Sequence, residues 1–269
     1  MGDTFLKWAG GKRWFVNHEH HRLPTEYNNY FEPFLGGGSV FFDMKPEHAY
    51  LNDINQELIN TYIAVRDEVE QVYEYLKEHE RNHSKDYYYL IREAEVHNSA
   101  EKAARMIYLN KSCFNGIYRV NKKGKFNVPY GTDRQIVFNK DDMIRSSEIL
   151  RRAELTCQDF QDTIEMAQRD DFLFCDPPYT VVNEDNRFIG YNADVFKWDD
   201  QIRLARALED AMNRGVKIIM TNVDHPAVRE LYEHIDGFSF DTGERSCLIS
   251  GTKEGRKRYK ELIVSTNLR

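Results

Sequence analysis

The stretch Phe172-Leu173-Phe174-Cys175-Asp176-Pro177-Pro178-Tyr179 limits the possible folds more than any other part of the chain. Four apolar residues in a row, with charge before them and proline after, suit a central strand of a parallel sheet, buried on both faces. Pro177 has no amide hydrogen for the ladder, so the strand must stop there. Proline also fixes φ and restricts the residue before it. Carbonyls near it are therefore aimed at a ligand rather than into the sheet. A carboxylate, one or two aimed carbonyl oxygens and a flat ring form a receptor for a planar group bearing an NH2. The alternative is a surface turn that happens to hold two prolines.

At 269 residues the chain makes one large domain, or one domain with an insertion. No apolar run approaches the roughly 20 residues that span a membrane. The opening Met1–Trp8 has neither the charged n-region nor the apolar h-region of a secretory leader. The four cysteines, at 113, 157, 175 and 247, form no C-x-x-C pair, so neither a zinc site nor a disulfide framework is expected. A reduced, cytoplasmic protein is expected. The net charge of −7 excludes a uniformly basic surface, so any nucleic-acid contact must come from local patches.

Near the N-terminus, Phe5-Leu6-Lys7-Trp8-Ala9-Gly10-Gly11-Lys12 combines a flat ring, a cation and two glycines that let backbone pass close to something. A plain turn before a helix over 12–18 accounts for the same residues. His18, His20 and His21 point to different sides of a helix, so a solvated helix end is expected there rather than a metal site. The next stretch, 30–42, reads strand, glycine loop (Gly36-Gly37-Gly38), helix, the arrangement in which a nucleotide-like ligand sits across a sheet end. It fits neither phosphate-loop nor dinucleotide glycine spacing, and no lysine follows the glycines. A nucleoside without phosphates suits it better. A second strand, Ala49-Tyr50-Leu51, leads to Asn52-Asp53-Ile54-Asn55. Asp53 stands where an acid takes ribose hydroxyls. Asp53 or Asn55 also suits the cap of a helix starting near Gln56.

Taken in order, Trp8-Ala9-Gly10-Gly11-Lys12, Glu32-Pro33-Phe34 with the three glycines, Asn52-Asp53-Ile54-Asn55 and Asp176-Pro177-Pro178-Tyr179 resemble the Dam-type (D12 class) family of DNA adenine-N6 methyltransferases. The likeness covers nearly the whole chain. It implies an α/β fold: a Rossmann-like S-adenosylmethionine-dependent methyltransferase sheet carrying an inserted helical and β-hairpin DNA-recognition domain. It also implies S-adenosylmethionine as methyl donor, bound by Trp8, Ala9, Gly10, Lys12, Glu32, Pro33, Phe34, Gly36, Gly38, Ser39, Asp53, Ile54, Asp159, Phe160 and Asp176. Asp176, Pro177 and Tyr179 are then the catalytic residues, with Tyr179 against the target base.

From Asn55 to Lys111 the pattern is helical, with breaks near 81–84 and 97–99, where Ser84 and Ser99 suit N-caps. Lys102 stands where a capping box after Ser99 needs an acid. We place the catalytic domain at 1–55 and 150–269, and the recognition domain at 56–149. Within the latter, Asn121-Lys122-Lys123-Gly124 reads as a hairpin tip. Lys111, Arg119, Lys122, Lys123, Lys125 and Arg134 bring positive charge to an acidic protein. Such a hairpin suits a major groove, lysines on phosphates and arginine or asparagine on base edges, or else plain solvent. The resemblance favours DNA. It makes Phe114 a wedge in the base stack and Arg119 a guanine reader. Asn115, Ile117 and Pro129 also lie at the DNA, with Asn121, Lys122, Lys123, Lys125 and Arg134 as further contacts. Thr132-Asp133 depart from the family pattern, which has an arginine and an aromatic residue there in enzymes that read GATC.

In the C-terminal half a strand is expected at 154–157, with Asp159 and Phe160 following it. A polar loop at 183–186 and then Phe188 and Tyr191 suggest either a lid or ordinary packing. A helix over 198–214 with Ile202, Ala205 and Leu208 inward ends at Gly215, followed by a strand at 216–220. Short strands at 238–240, 247–249 and 262–264 complete a mixed sheet. The basic run Lys253–Lys260 suits a phosphate clamp or a solvated loop. The expected function is methyl transfer to N6 of a flipped adenine in double-stranded DNA, at GATC or another context. It calls for no metal, no membrane and no obligate protein partner, in the cytoplasm of a bacterial or phage-infected cell, close to the nucleoid. The rivals are an N-methyltransferase of RNA or protein amides, a catalytically inactive DNA-binding relative and, more remotely, a nicotinamide oxidoreductase.

Overall fold

The computed structural model describes residues 4–121, 123–131, 135–179, 181–182, 188–189, 196–246 and 258–268. In chain order the elements begin α1 (Arg13–His18), β1 (Tyr30–Glu32), α2 (Ser39–Met44), β2 (Ala49–Asn52) and α3 (Gln56–Asp67). Then come α4 (Val69–Asn82), α5 (Lys85–Glu93), α6 (Ser99–Ser112), α7 (Lys140–Leu150), β3 (Ala153–Thr156) and α8 (Phe160–Met166). The last are β4 (Phe172–Cys175), β5 (Val181–Val182), β6 (Phe188–Ile189), α9 (Trp198–Asn213), β7 (Lys217–Val223), α10 (Pro226–Glu230), β8 (Ser239–Ser246) and β9 (Arg258–Ser265). They fold into two compact units. The first holds residues 1–12, 36–45 and 55–157, and the second residues 13–35, 46–54 and 158–269.

In the second unit, strands run in the order β2-β1-β4-β7-β9-β8. The pairs β1–β2, β1–β4 and β4–β7 are parallel, while β9 is antiparallel to both neighbours. β4 is buried along its whole length, as its unbroken apolar run requires. Its side chains alternate. Phe174 packs on Phe15 of α1, and Phe172 on Tyr30. Leu173 and Cys175 enter a core with Ile164 of α8 and Leu204, Leu208 and Ala211 of α9. The acid before the strand is structural. Buried Asp171 takes the Asn29 amide at 3.0 Å and its Nδ2 at 2.8 Å, setting the start of β1 against β4.

Three strands run longer than their apolar patterns suggest. β7 continues from Met220 to Val223 because β9 pairs with it as far as Val223–Glu261. β8 and β9 extend into polar sequence that antiparallel pairing supports without apolar alternation. On α9 the buried stripe is Gln201, Leu204, Ala205, Leu208 and Ala211, with Ile202 only partly buried. Gly215, at φ +92°, ends that helix. The strand expected at 247–249 lies outside the described residues.

The first unit is mostly helical. Asn55 caps α3, accepting from the Leu58 amide at 3.1 Å, and Ser84 caps α5 through the Tyr87 amide. The cap of α6 is Asn98, not Ser99: its Oδ1 takes the Glu101 amide at 3.0 Å. Ser99 is the first helical residue and donates to Glu68. The cap shift puts Glu101, rather than Lys102, at the third helical position. The expected hairpin is present as isolated bridges, Cys113–Tyr130 and Val120–Phe126, instead of continuous strands. Its tip closes with Asn121 N to Lys125 O at 2.8 Å and Gly124 in the left-handed region.

Candidate active site

The connections of the second unit create the site. β1 has β2 on one side and β4 on the other, so chain order reverses at β1. Such a reversal opens a crevice beyond the carboxyl ends of the strands. Pro33 and Phe34 follow β1, Asp53 follows β2 and Asp176 follows β4. Buried Asn52 ties the loops together. Its Nδ2 donates to Pro33 O and Gln158 O, each at 3.1 Å, and its Oδ1 accepts the Gln158 amide at 3.0 Å. Leu35 N donates to Asn52 O at 2.8 Å. Phe34 stacks on Phe160 and meets the edge of Phe196. Asp159 caps α8 through the Gln161 amide, and its other oxygen takes Arg203 Nη2 at 2.8 Å. The Arg203 guanidinium lies 4.4 Å over the Phe160 ring. Asp53 is half-buried and Ile54 exposed. Glu32 is buried and accepts the Tyr30 hydroxyl at 2.8 Å. Burial first, then the Glu32 charge, push the Tyr30 hydroxyl far up, which keeps it a donor.

At the end of β4, Asp176 is partly exposed, and its Oδ1 accepts Thr221 Oγ1 at 3.0 Å. Pro177 is buried, while Pro178 and Tyr179 are partly exposed. The Pro178 carbonyl accepts Gln201 Nε2 at 3.4 Å, and Asn222 Nδ2 donates to Gln201 Oε1 at 3.1 Å. The neighbouring Cys175 thiol is driven well up by burial, then by the Asp176 and Glu32 charges, so it supplies no thiolate.

In the first unit, Gly11 N donates to Trp8 O at 3.1 Å, closing a turn with Gly10 at φ +85°. Lys12 is buried, its Nζ donating to Gly10 O at 3.0 Å, and Ala9 is exposed. Trp8 stacks on Tyr118 with centroids 5.3 Å apart. The glycine loop meets this same indole: a Cβ on Gly36 would lie 2.8 Å from Trp8 Cδ1, and one on Gly37 3.0 Å from Trp8 Cβ. Tyr62 donates to Gly36 O at 2.9 Å, and Gly38, in the left-handed region, precedes Ser39 at the start of α2. The glycines thus admit a tryptophan edge.

The segment expected to form the recognition hairpin lies in the same unit. Phe114 is 48% exposed, large for a phenylalanine, and its amide donates to Pro129 O at 2.9 Å. Asn115 (φ +57°), Arg119, Asn121, Lys123, Lys125 and Pro129 are exposed, and Ile117 is half-buried. Arg119 Nε donates to Asn127 Oδ1 at 2.8 Å. Asn121 Oδ1 accepts the Lys123 and Lys125 amides, so its side chain builds the tip. Lys122, Thr132, Asp133, Arg134, the 183–186 loop, Tyr191 and residues 253–257 lie outside the described residues.

Several positioning residues escape a reading by motif. Asn110, fully buried, accepts the Lys7 amide and donates to Lys7 O, both at 2.7 Å, and donates to Gly116 O at 3.2 Å. Tyr118 donates to Glu57 at 2.6 Å. Thr221, Asn222 and Gln201 are polar residues at buried positions. That mismatch with their strand and helix patterns is the signal that could have found them.

The profile of the D12 class N6 adenine-specific DNA methyltransferases matches residues 8–245. The Type II methyltransferase M1.LlaDCHI of Lactococcus lactis is 36% identical over 270 residues, 97% of this chain and 94% of that one. A DNA adenine methylase of Vibrio cholerae is 34% identical over 269 residues, 97% and 95% of the two chains. A DNA N-6-adenine-methyltransferase of Escherichia phage P1 is 35% identical over 258 residues, covering 94% of this chain and 34% of its own. The chain belongs to the D12 class of N6 adenine-specific DNA methyltransferases. Its substrate is DNA and its methyl donor S-adenosylmethionine. The second unit fits that donor: an acid after β2 suits ribose hydroxyls, Phe34 offers a ring, and neither loop carries a phosphate-binding lysine.

Proposed function

We propose that the chain methylates N6 of an adenine flipped out of double-stranded DNA, with Asp176 and the Pro177 carbonyl as acceptors for the amine. The observation that carries this is Asp176-Pro177-Pro178-Tyr179 at the end of buried β4, beside the point where chain order reverses. Adenine N6 is a weak nucleophile because its lone pair is delocalised into the ring. Two acceptors for its hydrogens favour a pyramidal nitrogen and stabilise the positive charge that develops on it. Tyr179 stacks on the ring and holds the nitrogen in line for attack. S-adenosylmethionine, when bound, supplies an electrophilic sulfonium methyl group. Asp53, Phe34 and Asp176 of the second unit are the proposed donor-binding residues with most support from the strand-end geometry. Glu32, Pro33, Ile54, Asp159 and Phe160, and in the first unit Trp8, Ala9, Gly10, Lys12, Gly36, Gly38 and Ser39, are proposed on the family pattern.

A base inside a duplex cannot reach such a site, and flipping it costs a few kcal/mol. Exposed Phe114 as a wedge and the hairpin lysines on phosphates would offset that cost. Segment 56–149 is the proposed target-recognition region, with Arg119 reading a guanine. The methylated context is GATC, another sequence or a relaxed one. Among the described residues no helix is long and apolar enough to cross a membrane; a cytoplasmic location is part of the proposal. Asp176→Ala is expected to abolish transfer while leaving thermal unfolding in place. Full activity in that variant would remove Asp176 from the mechanism.

A further inference from the structure

We propose that Thr221 is a positioning residue for methyl transfer: its hydroxyl holds the Asp176 carboxylate in the orientation that receives the target amine. This rests on Asp176 being the acceptor, as proposed above. β4 and β7 run parallel, with Cys175 level with Met220. One residue further on, Asp176 comes level with Thr221, and level residues on neighbouring strands project from the same face. β4 stops there at proline. β7 does not, because β9 pairs with Thr221, Asn222 and Val223 through Ile263, Leu262 and Glu261. Thr221 is therefore fully buried on a supported strand beside a residue whose own strand has ended.

A carboxylate in that place can turn about its side-chain torsions unless something holds it. The hydrogen bond from Thr221 Oγ1 to Asp176 Oδ1, at 3.0 Å, does so. It anchors one carboxylate oxygen and so restricts the directions in which the second can point. The next residue of β7 acts on the same loop. Asn222 donates to Gln201, and Gln201 donates to the Pro178 carbonyl. All three polar side chains are fully buried, a costly placement unless hydrogen-bonded, and their bonds lead to the Asp-Pro-Pro segment. The acceptor group is thus held from β7 and α9 on either side of Pro177.

Thr221→Val removes the hydroxyl and keeps the β-branched shape that suits a strand, whereas Thr221→Ser keeps the hydroxyl. The test is single-turnover transfer to an adenine-containing duplex at saturating donor and DNA, with wild type, both variants and Asp176→Ala in parallel. Thr221→Val is expected to slow transfer by roughly tenfold to a hundredfold, the range for a hydrogen bond to a charged group. The half-saturating DNA concentration, read by titrating the same single-turnover rate, should stay unchanged, and Thr221→Ser should recover most of the rate. A wild-type rate in Thr221→Val beside an inactive Asp176→Ala overturns the role of Thr221 and leaves Asp176 standing. Activity in Asp176→Ala overturns the acceptor role itself. Equal losses in both Thr221 variants, with weaker substrate binding and earlier unfolding, would make Thr221 merely structural and also overturn the proposal.

Discussion

At the residue scale, Arg119, proposed above to read a guanine, is held in place by its own hairpin. Its Nε donates to Asn127 Oδ1 at 2.8 Å and its Nη2 to Asn127 O at 3.3 Å, across the hairpin. An arginine held by its inner nitrogen points its planar fork in a set direction, which suits bidentate contact with guanine O6 and N7. Arg119→Ala is expected to cost about 1–3 kcal/mol of discrimination at one base pair. Methylation of a library with that position randomised measures it, and an unchanged preference would count against the assignment. Asn121 belongs to a different category. Its carboxamide oxygen is spent on two amides of the tip, so its replacement should loosen the hairpin before it alters a base contact.

At the scale of elements, the proposed recognition hairpin depends on a close approach at Gly131. A Cβ there would overlap the backbone of Cys113 and Phe114, the residues that join α6 to the proposed wedge. Gly131 N also donates to Ser112 O at 3.0 Å. Gly131→Ala is expected to weaken duplex binding by at least about tenfold through backbone displacement while donor binding persists. Titration of both ligands separates the two effects. Asn98→Ala should cost about 1 kcal/mol of stability through loss of the α6 cap, measured by denaturant unfolding.

The elements that sequence reading recovers well share a physical cause. β4 carries an unbroken apolar run closed by proline, and α9 a helical apolar stripe closed by a glycine at φ +92°. Local chemistry determines both. Strand pairing determines the extra lengths of β7, β8 and β9, so single-strand patterns do not show them. Sequence pattern places the α6 cap one residue late, at Ser99, because serine and asparagine stand side by side and either can cap. The motif ends of β1, β2 and β4 were legible, since proline and acid chemistry is local. Thr221, Gln201 and Asn110 were not, because each acts through a partner distant in sequence.

At the scale of the molecule, an acidic chain that acts on DNA must confine positive charge. Net charge is −7, yet Lys111, Arg119, Lys123 and Lys125 gather in one stretch. Duplex affinity is therefore expected to fall steeply with salt, with log K against log salt sloping at about −0.9 per phosphate contacted. Lys123→Ala and Lys125→Ala should each reduce that slope by about one contact without changing the preferred sequence. Acid also bears on the helical unit. Burial, then the Arg105 charge, lower His79 to about 4 from its usual 6.5. The unfolded chain then binds the proton more readily between those values, so stability contributed by neutral His79 is full above pH 6.5 and is lost as pH falls towards 4. His79→Gln should flatten that part of the stability profile, read from thermal unfolding across pH.

The central claim is that this chain places a methyl group on N6 of adenine in duplex DNA at a defined sequence. The most direct measurement is incubation of the purified protein with S-adenosylmethionine and a mixed-sequence duplex, followed by base-resolution mapping of N6-methyladenine. The predicted result is N6-methyladenine confined to one short context, lost in Asp176→Ala. Transfer to RNA or protein but not to duplex DNA, or methylation of a base other than adenine, would contradict it.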